Sequence, residues 1–303
     1  MKSSEIRARL KPWILPIAMV VGFLFHDSME PLAWTAPWLI FAMLLLTFCK
    51  VKPEEFRITP LSRILIPVQI LGGISLYFVL HPLSESLAQG MFICVFCPTA
   101  TAAPVIVGLL GGSVPRLATF SILSNMVVAL LAPPIFTLIG TDGVEFMPTF
   151  LTIAAKVIPL IVGPLVLAFV LLRCVPKVHH QLANRASLSF YMWAFSLIIV
   201  VGRAVSFVMR EPARVIPLMV ALGIGAGVVC VLQFFIGRQI GGQWGDKIAG
   251  AQGLAQKNTV LAIWMAMTFM NPICSVAPAA YILWQNTINS VQLYLHDKNL
   301  KRN

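Results

Sequence analysis

Lys257 stands in the stretch AGAQGLAQKNTVLAIWMAMTFM, among Gln252, Gln256, Asn258 and Thr259. The stretch is long and apolar enough to lie in a bilayer, where an ionisable side chain is by default read as functional. An ammonium has three donors and no acceptor. It can fill carbonyl and amide oxygens as a bound cation would, ligate an anionic substrate, or carry a proton through a cycle. The bland alternative is a lysine that snorkels to the interface from a shifted helix. A second polar stretch, CPTATAAPVIVGLLGG, holds Thr99, Thr101, Ala103 and Pro104. Lys156 lies about two turns into another apolar run, between snorkelling outward and lining a crevice. Trp284, Gln285 and Asn286 add a polar set near the C-terminal end, with Gln285 or Asn286 expected to pack on the polar centre or to serve core hydrogen bonding. Cys94 and Cys97 form a CxxC with no second ligand pair, so they read as small packing residues. No Ser/His, HExxH or paired-Asp constellation occurs in the apolar runs, and the chain is not expected to be an enzyme.

The elements that must position these residues are membrane helices. The 303 residues are 58% hydrophobic and 11% charged, against about 25% charged in soluble domains. Apolar runs at about 13–28, 33–49, 64–80, 87–112, 117–138, 149–172, 186–202, 215–236, 248–270 and 273–295 are of the length that crosses a hydrocarbon core. Net charge +11 does not point to nucleic acid, because the cations sit at the ends of these runs. With the N-terminus inside, seventeen of the 22 Lys and Arg fall on the cytoplasmic side. Arg203, Arg210 and Arg214 share one outer loop, while Lys156 and Lys257 lie within spans. That bias puts both termini in the cytoplasm. No cleavable signal peptide is expected ahead of the first span. No Asp or Glu falls inside a span, although cation-coupled carriers usually hold their ion at an intramembrane carboxylate. Trp34, Trp38 and Trp193 read as membrane-belt residues, and Trp264 as a possible cap on the polar site.

The halves echo each other. Span three opens RILIPVQILGG and span eight RVIPLMVALGIG; span five contains APPIF and span ten APAAYI. Five spans per half put the second copy in the opposite orientation, so repeats at about 13–138 and 149–295 form an inverted pair. In such transporters the site forms at the midplane, where corresponding helices are interrupted. Pro98 and Pro104 interrupt span four; Gly250, Gly253 and the polar cluster interrupt span nine. The reading is an all-α integral membrane protein of about 10 transmembrane helices in one unit, an inverted 5+5 repeat with two broken crossing helices, spans four and nine.

Four of these stretches also resemble the bile acid:sodium symporter family, in the wider group that includes arsenite and auxin efflux carriers. CPTATAAPVIVGLLGG resembles that family's Cys-Pro-Gly-Gly-Thr-Ala-Ser-Asn segment, and LLAPPIF follows it. LAQKNTVLA resembles Gln-Asn-Ser-Gly-Leu-Ala, and APAAYILWQN resembles Pro-Ala-Ala-Ile-Phe-Ser-Val-Trp-His-Asn. The resemblance covers most of the chain, in order. It implies a core of spans 3–5 and 8–10, a panel of spans 1, 2, 6 and 7, and substrate in the crevice between them, moved by one domain shifting against the other. It also implies two sodium ions behind the crossover, but here the chain departs. The motif's serine and asparagine correspond to Ala103 and Pro104, its acidic residue to Gln252, and the asparagine after the motif glutamine to Lys257. Gln69 and Gln256 are retained. A hard cation wants oxygen ligands and negative charge, so sodium is disfavoured and no cofactor is expected.

The expectation is a secondary transporter of a small organic anion, bile-acid-like or carboxylate-bearing, in a bacterial inner membrane. Its crossover would use Thr99, Thr101, Ala103, Pro104, Asn258, Thr259, Gln285 and Asn286. Lys257, donating to Gln69, Gln252, Gln256 and backbone carbonyls, would replace bound sodium or else ligate substrate, with proton coupling as a further option. An efflux permease of the arsenite or auxin type is the alternative, since Cys97 stands beside Pro98.

Overall fold

The computed structural model describes residues 14–50, 58–100, 103–140, 145–185 and 188–300. Thr101 lies outside these residues. The described chain is helical, its only β pairing a one-residue bridge. Helices α1 (Ile14–Leu24) and α2 (Ala36–Lys50) are joined by a short turn of helix, His26–Met29, and a 3-10 segment, Glu30–Thr35. Then come α3 (Pro60–Leu80), α4 (Glu85–Phe96), α5 (Ala103–Leu109), α6 (Val114–Ile139) and α7 (Phe146–Cys174). The chain continues through α8 (Pro176–Asn184), α9 (Leu188–Met209), α10 (Ile216–Gln243), α11 (Lys247–Ala255), α12 (Thr259–Phe269) and α13 (Val276–Leu300). Among the described residues, six stretches of helix are long and apolar enough to cross a membrane, the make-up of a helical membrane protein.

Local chemistry sets many of the ends. Thr59 accepts from the Ser62 amide and Pro60 opens α3, where its missing N–H costs nothing. Ser84 caps α4 through the Leu87 amide. Asp246 caps α11 through the Ala249 amide at 2.8 Å, and its other oxygen takes the Ser113 amide at 2.9 Å. That carboxylate therefore ties the α5–α6 turn to the start of α11.

Two packing groups surround the polar centre. Helices α1, α2, α7 and α9 pack on one another. Helices α3 to α6 and α10 to α13 form the other group, with α6–α7 and α9–α12 contacts joining the two. Around α4, Phe92 and Phe96 stack at 4.8 Å and meet Phe136 edge-on. The α10–α11 contact is closer still. Gly237 and Gly241, one turn apart on α10, face Gly250 of α11, and a Cβ at Gly237 would stand 2.3 Å from the Gly250 carbonyl oxygen. Only small residues permit such backbone approach between helices.

Helix α9 corrects one boundary. It runs on to Met209, so Arg203 belongs to a helix and not to an outer loop. The apolar register through Val200, Val201 and Ala204, all buried, continues past the arginine and carries the helix with it. Of the remaining loop cations, Arg210 is ion-paired with Glu30.

Candidate functional site

Helix α4 stops at Phe96 because Pro98 follows. The residue before a proline is pushed out of the helical region, and Cys97 adopts φ −53°, ψ 143°. Helix α11 stops at Ala255, and Gln256 and Asn258 leave the helical region (ψ 89° and 80°) before α12 begins. The two non-helical pieces meet. The Ala100 amide donates to the Gln256 carbonyl at 2.8 Å and the Asn258 amide to the Pro98 carbonyl at 2.9 Å. Thr99 and Lys257 thereby face each other as an antiparallel bridge.

A helix that ends inside a protein leaves carbonyls without partners. Here side chains supply them. On α4, the Cys94 carbonyl accepts from Gln233 Nε2 (3.2 Å), that of Val95 from Lys257 Nζ (2.6 Å), and those of Phe96 and Cys97 from Gln69 Nε2 (2.8 and 3.0 Å). On α11, the Gly253 carbonyl accepts from Thr99 Oγ1 (2.7 Å) and that of Ala255 from Tyr281 Oη (2.8 Å). The two bridge residues thus exchange caps: Thr99 serves the helix that precedes Lys257, and Lys257 serves the helix that precedes Thr99. An ammonium at a helix C-terminus also meets the negative end of the helix dipole.

The remaining predicted residues are distributed around this exchange. Gln285 Oε1 accepts the Lys257 amide at 3.1 Å. Gln252 Nε2 donates to Asn289 and Gln292, and Asn289 donates to Gln256 Oε1. Gln69, Gln252 and Gln256 therefore bond to partners other than the Lys257 ammonium, which takes a backbone carbonyl. Asn258 caps α12 through the Leu261 amide, and Thr259 opens that helix, 1% exposed. Ala103 is buried at the start of α5; Pro104 beside it is half-buried, as is Asn286 on α13. Cys97 is buried and its thiol faces the Asn258 carbonyl at 3.2 Å.

Sequence reasoning missed several members. Ser121, Ser124 and Asn125 of α6 hold the Thr99 backbone, and Ser124 also donates to Gln69 Oε1. Gln233 and Tyr281 bond to each other at 2.9 Å. The available signal was polarity at a single position of an apolar run, as in VVCVLQFFIG. Such a signal does not say which neighbour it serves.

Lys257 is 1% exposed. Among the described residues no carboxylate pairs with it, and no group of His, Cys, Asp and Glu is placed to hold a metal ion. Polar capacity remains nearby: Gln256 Nε2, Asn258 Nδ2, Thr259 Oγ1 and Gln285 Nε2 have no protein partner.

Helix α12 leads from this centre to a cleft of about 880 Å³. Its lining includes Trp264 and Thr268 of α12, Trp34, Trp38 and Phe41, Lys156 of α7 and Arg203 of α9. Trp34 and Trp38, read from sequence as belt residues, border this cleft, and Trp193 is buried in the core. Lys156 lines the cleft with its ammonium 6.0 Å from the Phe269 ring centroid.

The fold and centre define a helical membrane protein with two interrupted helices joined at their breaks. Neither protein-family profiles nor curated proteins give a match to the chain.

Proposed function

We propose that the protein is a secondary transporter of a small organic anion, working by alternating access without sodium, and that Lys257 does the work of a bound cation. The observation that carries this reading is the exchange of caps between Thr99 and Lys257. Interrupted helices at membrane depth need polar partners, and transporters place substrate and coupling ions at such breaks. A coupling cation would bring the broken ends together by drawing their carbonyl oxygens. Here an ammonium on one broken helix already takes the Val95 carbonyl of the other.

Sodium does not suit these residues. The Val95 oxygen is engaged, Gln69 donates its amide to the Phe96 and Cys97 carbonyls, and no described carboxylate pairs with Lys257. No step is therefore assigned to that ion. The α1–α2–α7–α9 group would serve as the panel and the other helices as the moving core, with ten spans in an inverted repeat and both termini cytoplasmic. The antiparallel sense of the Thr99–Lys257 bridge supports two-fold inversion. Substrate would approach the free polar atoms of Asn258 and Thr259 along α12. A thiol chemistry of the arsenite kind gains no support, because Cys97 is buried and already faces the Asn258 carbonyl.

Two measurements test the reading. Purified protein melted in sodium chloride and in choline chloride is expected to show the same Tm. A clear rise with sodium would overturn the role of Lys257, since a ligand that binds only the folded state stabilises by mass action. Counterflow of labelled organic anions in sodium-free proteoliposomes is expected to show exchange. Lack of exchange for carboxylates across a range of sizes would overturn transport.

A further inference from the structure

The cleft at the end of α12 carries two cations that the crossover does not use. Lys156 stands in the third turn of α7 and Arg203 within α9, and both border the cleft. Among the described residues the ion pairs are His26–Asp27 and Arg210–Glu30, so neither cation has a carboxylate partner there. Glu30, the one carboxylate on the cleft, is taken by Arg210. A charge held at a helix interior needs water or an anion to meet it. The rest of the lining is aromatic. Trp34, in the 3-10 segment before α2, and Trp38, in the first turn of α2, line the cleft together with Trp264 and Phe41. A single inorganic anion would leave those rings without a partner.

We propose that this cleft is a binding site for a planar aromatic monocarboxylate, its carboxylate held by Lys156 and Arg203 and its ring system by Trp34, Trp38 and Trp264. Flat π-faces stack on indole rings in offset or edge-on geometry. A guanidinium grips a carboxylate through two parallel N–H donors, as an ammonium does not. The volume of about 880 Å³ lies within the range of pockets that enclose a single small molecule, roughly 300–1,000 Å³. A carboxylate shared by Lys156 and Arg203 leaves no other described cation on the cleft lining for a second. The assignment deepens the transport reading and rests on it for the cleft being the substrate's route.

The probe is 2-naphthoate, titrated calorimetrically into the full-length protein in lipid nanodiscs, with empty nanodiscs as the blank. Wild type is expected to bind it more tightly than 2-naphthalenemethanol, which lacks the charge, and cyclohexanecarboxylate, which lacks the π-face. Lys156→Gln and Arg203→Gln should each weaken binding by roughly tenfold, the scale of one hydrogen bond to a charged group. Arg203→Lys should recover only part of the loss, and Trp264→Leu should narrow the gap between naphthoate and cyclohexanecarboxylate. An unchanged Tm shows that each variant is folded; Lys156 is exposed to the cleft and its replacement leaves the core intact. No binding by wild type, binding indifferent to both charge variants, or full displacement by millimolar chloride would overturn the site. Charge-dependent binding without naphthoate flux in proteoliposomes would leave the site standing and sink the transport reading. Flux of other anions without naphthoate binding would do the reverse.

Discussion

Lys257 answers to a local need, the unpaired carbonyl at the end of α4. Removing the ammonium while keeping the apolar stem leaves Val95 without its buried donor, a loss of about 1–3 kcal/mol. Lys257→Met is therefore expected to lower the Tm clearly in any salt. Lys257→Asn shortens the side chain and opens space beside carbonyl oxygens, so it is expected to gain a sodium-dependent rise in Tm that wild type lacks. A destabilised Asn variant that ignores sodium would mean that the lysine is a cap and nothing more. Thr99→Val removes the matching cap on Gly253 and keeps the shape. It is expected to cost about 1 kcal/mol by denaturant or thermal unfolding, and less than the lysine change because no charge is involved.

Helices α4 and α11 are short because they end in polar company, and each element depends on its neighbour for closure. The α10–α11 contact shows how little room there is. A Cβ on Gly250 would lie 2.2 Å from the Gly237 carbonyl oxygen, which is backbone and cannot swing away. Gly250→Ala is expected to force the two helices apart and to destabilise by roughly 1–3 kcal/mol, the usual cost of overpacking. Its effect should exceed that of Gly245→Ala, which meets open space and carries only the strain of φ +74°. Paired melting curves check the ranking. An equal loss at both positions would mean that α10 and α11 separate easily. The caps of α3, α4 and α11 by Thr59, Ser84 and Asp246 follow rules that operate within one turn, and their positions are visible in the sequence.

At the scale of the molecule, the cleft on the α12 side is open while the crossover beneath it is closed by direct hydrogen bonds. Thr268 sits on its wall, half-buried. Thr268→Cys, in a background with the exposed Cys174 changed to Ser, is expected to react with a membrane-impermeant thiol reagent added outside. The adduct should abolish uptake, and bound 2-naphthoate should slow the labelling. Labelling from the cytoplasmic side alone would reverse the orientation assigned to the chain.

Membrane class and the two interruptions were legible from apolar run length, from Pro98 and from the polar cluster at Gln252–Thr259. These signals are local, because a helix breaks where its own backbone loses donors or gains a competing conformation. Lys257 was legible as a misplaced charge that would meet backbone carbonyls of the broken helices, but which carbonyl was not. Gln69, Gln252 and Gln256 were expected to share the ammonium, and it meets the Val95 carbonyl, 162 positions away, without them. Gln233, Tyr281 and the α6 serines looked like stray polar residues until the fold laid their helices against the broken ends. Arg203 was misplaced because a cation near the end of an apolar run looks the same in a loop or on a helix. Hydrophobic pattern and turn chemistry are written along the chain. Which donor meets which carbonyl, and which cations share a cleft, depends on how helices far apart in sequence cross, and only the tertiary structure decided that.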